Sequence, residues 1–269
     1  MTSPDDNAPQ ALELSGRVAL VTGGGSGIGR ATARLLALRG ARVFVGDLRP
    51  SPDNDAEFAR LGIAQLPCDV RRAADIERLV SAAVAAGGGL HVVVSNAGIN
   101  CSGQVPEVSE SAWDDCLDTN LKGAFLCAKF AIPHLRAAGG GAIVHSASNA
   151  GLLPRSHDPV YSTSKGALVA FTRALALAHA HERIRVNAVC PGPVTDTGMM
   201  AADLAAADDA DAAAARFIAA SPLARAWGRM ITPDEVAAAI AYLVSDAAAM
   251  VTGTMLAIDG GKALGVPPK

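Results

Sequence analysis

Short apolar runs rich in Val and Ile alternate along the chain with longer stretches of helical periodicity. Residues 17–21, 41–46, 63–67 and 91–95 are predicted as strands, as are 142–145, 185–189 and 254–258. Several are continuously apolar, Val92-Val93-Val94 among them, which suits strands covered on both faces of a parallel sheet. Helices are predicted over 28–39, 73–86, 111–137, 160–181 and 233–245. Thr232 before Pro233 has the form of an N-cap followed by proline at the first helical position. Strict β–α alternation predicts an α/β fold, a Rossmann-type doubly wound parallel sheet of about seven strands with helices on both faces. Residues 1–11 are expected to form a disordered tail, and 12–269 a single domain. The stretch 195–230 breaks the alternation. It is long, Ala-rich and dotted with Asp203, Asp208, Asp209 and Asp211, and is expected to be a helical lid over one end of the sheet.

Composition narrows the function classes. The chain has 269 residues, half of them hydrophobic, so it can bury enough surface to offset the entropy of ordering. A net charge of −3 gives no footprint for nucleic acid or an anionic membrane. No apolar run is long enough to span a bilayer. Cys68, Cys101, Cys116, Cys127 and Cys190 are scattered, without a CxxC pair or zinc-ligand spacing, so no metal site is expected and a reducing cytoplasm fits best.

The first predicted strand runs into Thr22-Gly23-Gly24-Gly25-Ser26-Gly27-Ile28-Gly29 and then a helix. Glycines there let the backbone turn tightly and approach a pyrophosphate seated at the positive helix N-terminus. The second strand ends at Gly46-Asp47-Leu48. A carboxylate about 20 residues past the glycine turn accepts hydrogen bonds from the adenosine ribose and repels a 2′-phosphate, so Asp47 favours NAD over NADP. Arg49 is the counter-signal, because a nearby cation tolerates that phosphate. Cys68-Asp69-Val70 and Ser95-Asn96-Ala97-Gly98 close the third and fourth strands, where open α/β sheets bind ligands.

Tyr161 and Lys165 stand four apart in a predicted helix, so they share a face. An ammonium near a phenol stabilises phenolate and lowers its pKa, fitting the pair for proton transfer near neutrality. In order along the chain, the glycine turn, Asn96-Ala97-Gly98, Asn120, Ser148, Tyr161-x-x-x-Lys165 and Pro191-Gly192 resemble the short-chain dehydrogenase/reductase family, over about residues 17–261. The resemblance implies that Tyr161 exchanges a proton with the substrate oxygen and Ser148 hydrogen-bonds that oxygen. It implies that Lys165 holds the nicotinamide ribose and that Asn120 helps hold a water of the proton relay. It also extends the NAD-binding set to Val194 and Thr195, and by family habit implies a homotetramer or homodimer. The reaction implied is hydride transfer between a secondary alcohol and a ketone. An NADP(H)-linked 3-oxoacyl-type reductase, a cis-dihydrodiol dehydrogenase and a non-catalytic NAD-binding regulator stay open as alternatives.

Two departures from the family pattern stand out. Ser95 replaces the first Asn of Asn-Asn-Ala-Gly and is expected still to hydrogen-bond across strands. The stretch after Gly192 has two threonines, leaving open whether Thr195 or Thr197 contacts the nicotinamide. On the substrate side, Leu152, Leu153 and Met199 suggest an apolar wall, whereas Arg155 and His157 read first as solvated loop residues.

Overall fold

The computed structural model describes residues 13–265, except 51 and 154. The expected tail over 1–11 lies outside the described residues. Strand β1 (Val18–Thr22) leads through the glycine turn into α1 (Gly27–Leu38) and β2 (Arg42–Asp47). Next come α2 (Asp55–Leu61), β3 (Ala64–Pro67), α3 (Ala73–Gly87) and β4 (Val92–Ser95). Helices α4 (Glu110–Leu117) and α5 (Gly123–Ala137) precede β5 (Gly141–Ser146), α6 (Pro159–His179) and β6 (Ile184–Pro191). The chain closes with α7 (Gly198–Ala205), α8 (Ala210–Ala219), α9 (Pro222–Trp227), α10 (Pro233–Val244) and β7 (Met255–Ile258).

All seven strands pair in parallel in the order β3-β2-β1-β4-β5-β6-β7. Successive residues of β1 serve opposite faces, as strand geometry demands. Ala19 and Val21 pack on Leu36 of α1 and Ile240 of α10, while Val18 and Leu20 pack on Leu79 of α3 and Leu135 of α5. The chain reverses direction across the sheet between β1 and β4, which opens the crevice where such folds bind ligands.

Every predicted strand forms, with ends shifted by a residue or two. Helix α2 was not predicted, because Pro52, Asp53 and Asn54 before it read as turn residues. The single helix predicted over 111–137 is instead α4 and α5, joined by a π-helical turn at Asp118–Lys122. The extra residue that a π turn inserts turns Asn120 inward, where it is buried. The stretch 195–230 holds three helices, α7, α8 and α9. Its ends are pinned together at the sheet: Val194 bridges Ile231, and the Thr195 amide donates to the Ile231 carbonyl at 2.9 Å.

Candidate active site

The strand ends at the sheet's reversal open into one cleft of about 980 Å³. At one end the wall is backbone. The Asn96 side-chain amide donates to the Thr22 and Gly23 carbonyls, both at 3.2 Å, and so lashes the end of β4 to the glycine turn. A Cβ on Gly23 would stand 2.8 Å from the Ala97 Cα, so these two turns touch only because the first is glycine. Gly23, Ser26, Gly27 and Ile28 face the cleft. Gly29 does not; it packs against the Gly23 carbonyl and lets α1 start that close.

Asp47 stands at the end of β2 on the cleft wall, with Leu48 and Arg49. Its carboxylate accepts from the Gly25 amide at 2.9 Å and the Arg49 amide at 3.0 Å. Those bonds hold the side chain still and leave lone pairs for a ribose. Asp69 and Val70 continue the wall, and Arg71 clamps the Asp69 carboxylate and reaches Asp115 at 2.7 Å. That guanidinium holds the Asp69 carboxyl below its ordinary range. The glycine turn, the fixed Asp47 and the open strand ends fit a dinucleotide: pyrophosphate at the start of α1, adenosine ribose at Asp47.

Asn96, Ala97, Gly98, Pro191, Gly192 and Val194 lead toward the other end, where Ser148, Tyr161 and Lys165 converge. Tyr161 and Lys165 are both buried on α6. The Lys165 ammonium donates to the Ser146 carbonyl at 2.9 Å and lies 5.8 Å from the centre of the Tyr161 ring. Burial pushes Lys165 down to about 8. The expectation that Lys165 depresses the Tyr161 pKa is not what the protein chain alone shows. Burial raises the Tyr161 phenol above its ordinary value, and the forces opposing that rise come from the Ser148 hydroxyl and Arg155. Ser148 sits where β5 ends, its hydroxyl accepting from the Ala150 amide at 3.1 Å.

Ser146, two residues before Ser148, is tied to the end of β4: its hydroxyl donates to Asn96 Oδ1 at 3.0 Å. Asn120 lies behind the cleft wall rather than on it. Its side chain accepts from the Ile99 amide at 2.8 Å and donates to the Ile99 carbonyl at 2.9 Å, while also reaching the Ser164 hydroxyl at 3.0 Å. It therefore fixes the loop after β4 against α6, the helix of Tyr161. Of the two threonines, Thr197 faces the cleft and caps α7 through the Met200 amide. Thr195 does not line it, because its backbone is spent on the pairing with Ile231. Ser95 makes no cross-strand side-chain bond; its hydroxyl is buried beside the Cys127 thiol. Arg155 and His157, read as loop residues in solvent, both line the cleft. So do Phe217 and Lys262, which carried no signal in the sequence because nothing in their neighbourhoods has a recognisable spacing.

A family model described as enoyl-(acyl carrier protein) reductase matches residues 23–263. The chain is 40% identical over 259 residues to 4-formylbenzenesulfonate dehydrogenase of Comamonas testosteroni, covering 93% of this chain and 99% of the relative. It is 42% identical over 249 residues to cis-4-hydroxycyclohexanecarboxylate dehydrogenase of Sinomonas cyclohexanicum, covering 91% and 96%. A solved structure from Burkholderia xenovorans, described as a short-chain dehydrogenase/reductase, superposes with a TM-score of 0.88 at 32% identity, over 96% of this chain and all of that one. The chain belongs to the short-chain dehydrogenase/reductase family. Aldohexose dehydrogenase of Thermoplasma acidophilum, another solved structure, superposes with a TM-score of 0.86 at 29% identity, over 96% and 98% of the chains. Among the described residues of this short-chain dehydrogenase/reductase, no helix is long and apolar enough to cross a membrane, and no cluster suits a metal ion.

Proposed function

We propose that the protein is an NAD(H)-dependent dehydrogenase that interconverts a secondary alcohol and a ketone. The convergence of Ser148, Tyr161 and Lys165 on one cleft whose other end carries Asp47 supports this reading above all. The relative named cis-4-hydroxycyclohexanecarboxylate dehydrogenase has a ring hydroxyl, a secondary alcohol, in its named substrate, which accords with it. NAD would be held by the glycine turn, Asp47, Asp69, Asn96 and Lys165, and when bound it supplies the hydride acceptor or donor. The protein's own part is orientation and proton transfer. Tyr161 gives its phenolic proton to the substrate oxygen in reduction and takes it back in oxidation. Ser148 donates a hydrogen bond to that oxygen and stabilises developing negative charge. Lys165, with donors beyond the one spent on Ser146, reaches a ribose and keeps positive charge near the phenol. Because burial raises the Tyr161 pKa, oxidation, which needs the phenolate, speeds up as pH rises.

The outer faces of α5 and α6 support assembly with a second copy. Phe125 is 47% exposed and borders a shallow apolar hollow with Leu121 and Phe171.

The test is NADH absorbance against a panel of secondary alcohols and ketones, run with both cofactors. Tyr161→Phe should lower kcat by about a thousandfold with cofactor affinity retained in a fluorescence titration. Turnover with NADP should be about a hundredfold poorer, since Asp47 faces its phosphate. Normal turnover in Tyr161→Phe would overturn the mechanism, and equal use of both cofactors would give Arg49 the deciding role instead.

A further inference from the structure

The cleft also carries a cation, Lys262, that the chemistry at Tyr161 does not use, beside Arg155, which lowers the pKa of the Tyr161 phenol through space. Arg155, from the loop before α6, and Lys262, from the turn after β7, both line the cleft. They come from segments about a hundred residues apart, so only the fold brings them together. Arg155 is anchored: it donates to Asp158 Oδ2 at 3.0 Å and to the side-chain oxygen of Asn149. Asp158 is buried and also takes the Ser162 hydroxyl at 3.2 Å. Asp259, the other carboxylate near Lys262, spends its oxygens on the Gly261 and Ala263 amides, both at 2.9 Å. Asp203, which faces the cleft from α7, accepts from the Asn100 amide at 3.1 Å. Lys262 is thus the cation left over. It feels Arg155, Asp158 and Asp259 through space and hydrogen-bonds none of them among the described residues.

Two cations lining one cleft repel each other, and half-burial strips water from the ammonium. Both effects hold the Lys262 pKa below its ordinary value. An anion placed between them removes both penalties at once, and Met199 and Phe217 supply an apolar wall for the carbon frame that carries it. We infer that Lys262, backed by Arg155, binds a carboxylate or similar oxyanion of the substrate, so that the enzyme selects anionic over neutral alcohols of the same shape. The inference rests on the dehydrogenase reading for the place of the reacting carbon at Tyr161. The anion site itself is testable without turnover.

Benzoate and benzamide match in shape and differ in charge. Calorimetric titration of the protein saturated with nicotinamide cofactor should show benzoate binding about tenfold tighter than benzamide. Lys262→Gln should abolish that difference and Lys262→Arg should keep it. Equal binding of the two probes, no binding of either, or a preference that survives Lys262→Gln would each overturn the inference. A preference that follows Lys262 in a protein oxidising no alcohol and reducing no ketone would sink the dehydrogenase reading and leave the anion site standing. Turnover of neutral alcohols with no benzoate preference would do the reverse.

Discussion

The two ends of the cleft are built from different material. The proposed cofactor end is backbone held by strand pairing and by side chains: β1, β2 and β4 in register, with the Asn96 side-chain amide, the Asp47 carboxylate and the Asn54 side-chain amide binding the glycine turn from three sides. The proposed substrate end is three short helices whose buried side chains are few: Met200 in α7, Ala213 in α8 and Ala224 in α9. Helix α10, of similar length to α8, buries six. Buried apolar contact is what resists local opening, so α7–α9 should open at a small fraction of the cost of the sheet. On the proposed function, one end holds an invariant dinucleotide in fixed geometry and the other admits and releases a substrate.

The largest expected effect tests the first half of that contrast. Gly29 opens α1 against the glycine turn, and an added Cβ would overlap the Gly23 carbonyl oxygen and stand 2.5 Å from the Asn96 amide nitrogen. Neither neighbour can yield, since one is backbone and the other is bonded to Thr22 and Gly23. Gly29→Ala should therefore cost about 3 kcal/mol in chemical denaturation. It should also abolish measurable cofactor binding. Native stability with native affinity would show that the wall is softer than its packing.

The same contrast explains what could be read before the structure. The glycine turn depends on a residue type that backbone geometry demands, so Gly23, Gly27 and Gly29 were legible from spacing after a strand, and Asp47 as the carboxylate at the end of the next. Thr232 and Pro233 likewise announced the start of α10, and the Thr232 hydroxyl does accept from the Glu235 amide. The π turn was not legible, because nothing between Asp118 and Lys122 breaks helical periodicity; what favours it is the bond pair from Asn120 to Ile99, a tertiary contact. Thr195 and Thr197 could not be separated for the same reason, since the pairing of 194–195 with Ile231 decides which one turns to the cleft. Arg155 and Lys262 look like surface residues in isolation, and only the closing of the fold places them on one wall.

A middle-sized effect is expected where the two ends are tied. Asp203 of α7 accepts from Asn100 in the loop after β4, a bond of 3.1 Å between the sparsely packed side and the sheet side. A hydrogen bond to a charged acceptor near the surface is worth about 1 kcal/mol net, so Asp203→Ala should raise KM about fivefold. In the proposed mechanism proton transfer at Tyr161 does not pass through this bond, so kcat should stay within about twofold of its starting value. A collapse of kcat instead would mean that α7 shapes the reacting geometry and does not merely cover it.

The smallest effect is the most discriminating, because it repeats the first substitution at the other end. Gly198 also begins a helix, α7, and a Cβ there would meet nothing within 4 Å. Its φ is not in the left-handed region, so alanine suits the backbone, and alanine is the better helix former. Gly198→Ala should change stability by no more than about 0.5 kcal/mol, toward gain, with cofactor affinity untouched. Both glycines stand in the first turn of a helix that borders the cleft, and both receive the same methyl group. Their difference under denaturation therefore measures how much tighter the chain is packed around the dinucleotide than around the substrate. If Gly198→Ala cost as much as Gly29→Ala, α7 would be locked as firmly as α1, and admission of substrate would have to come from the loop before α6 instead.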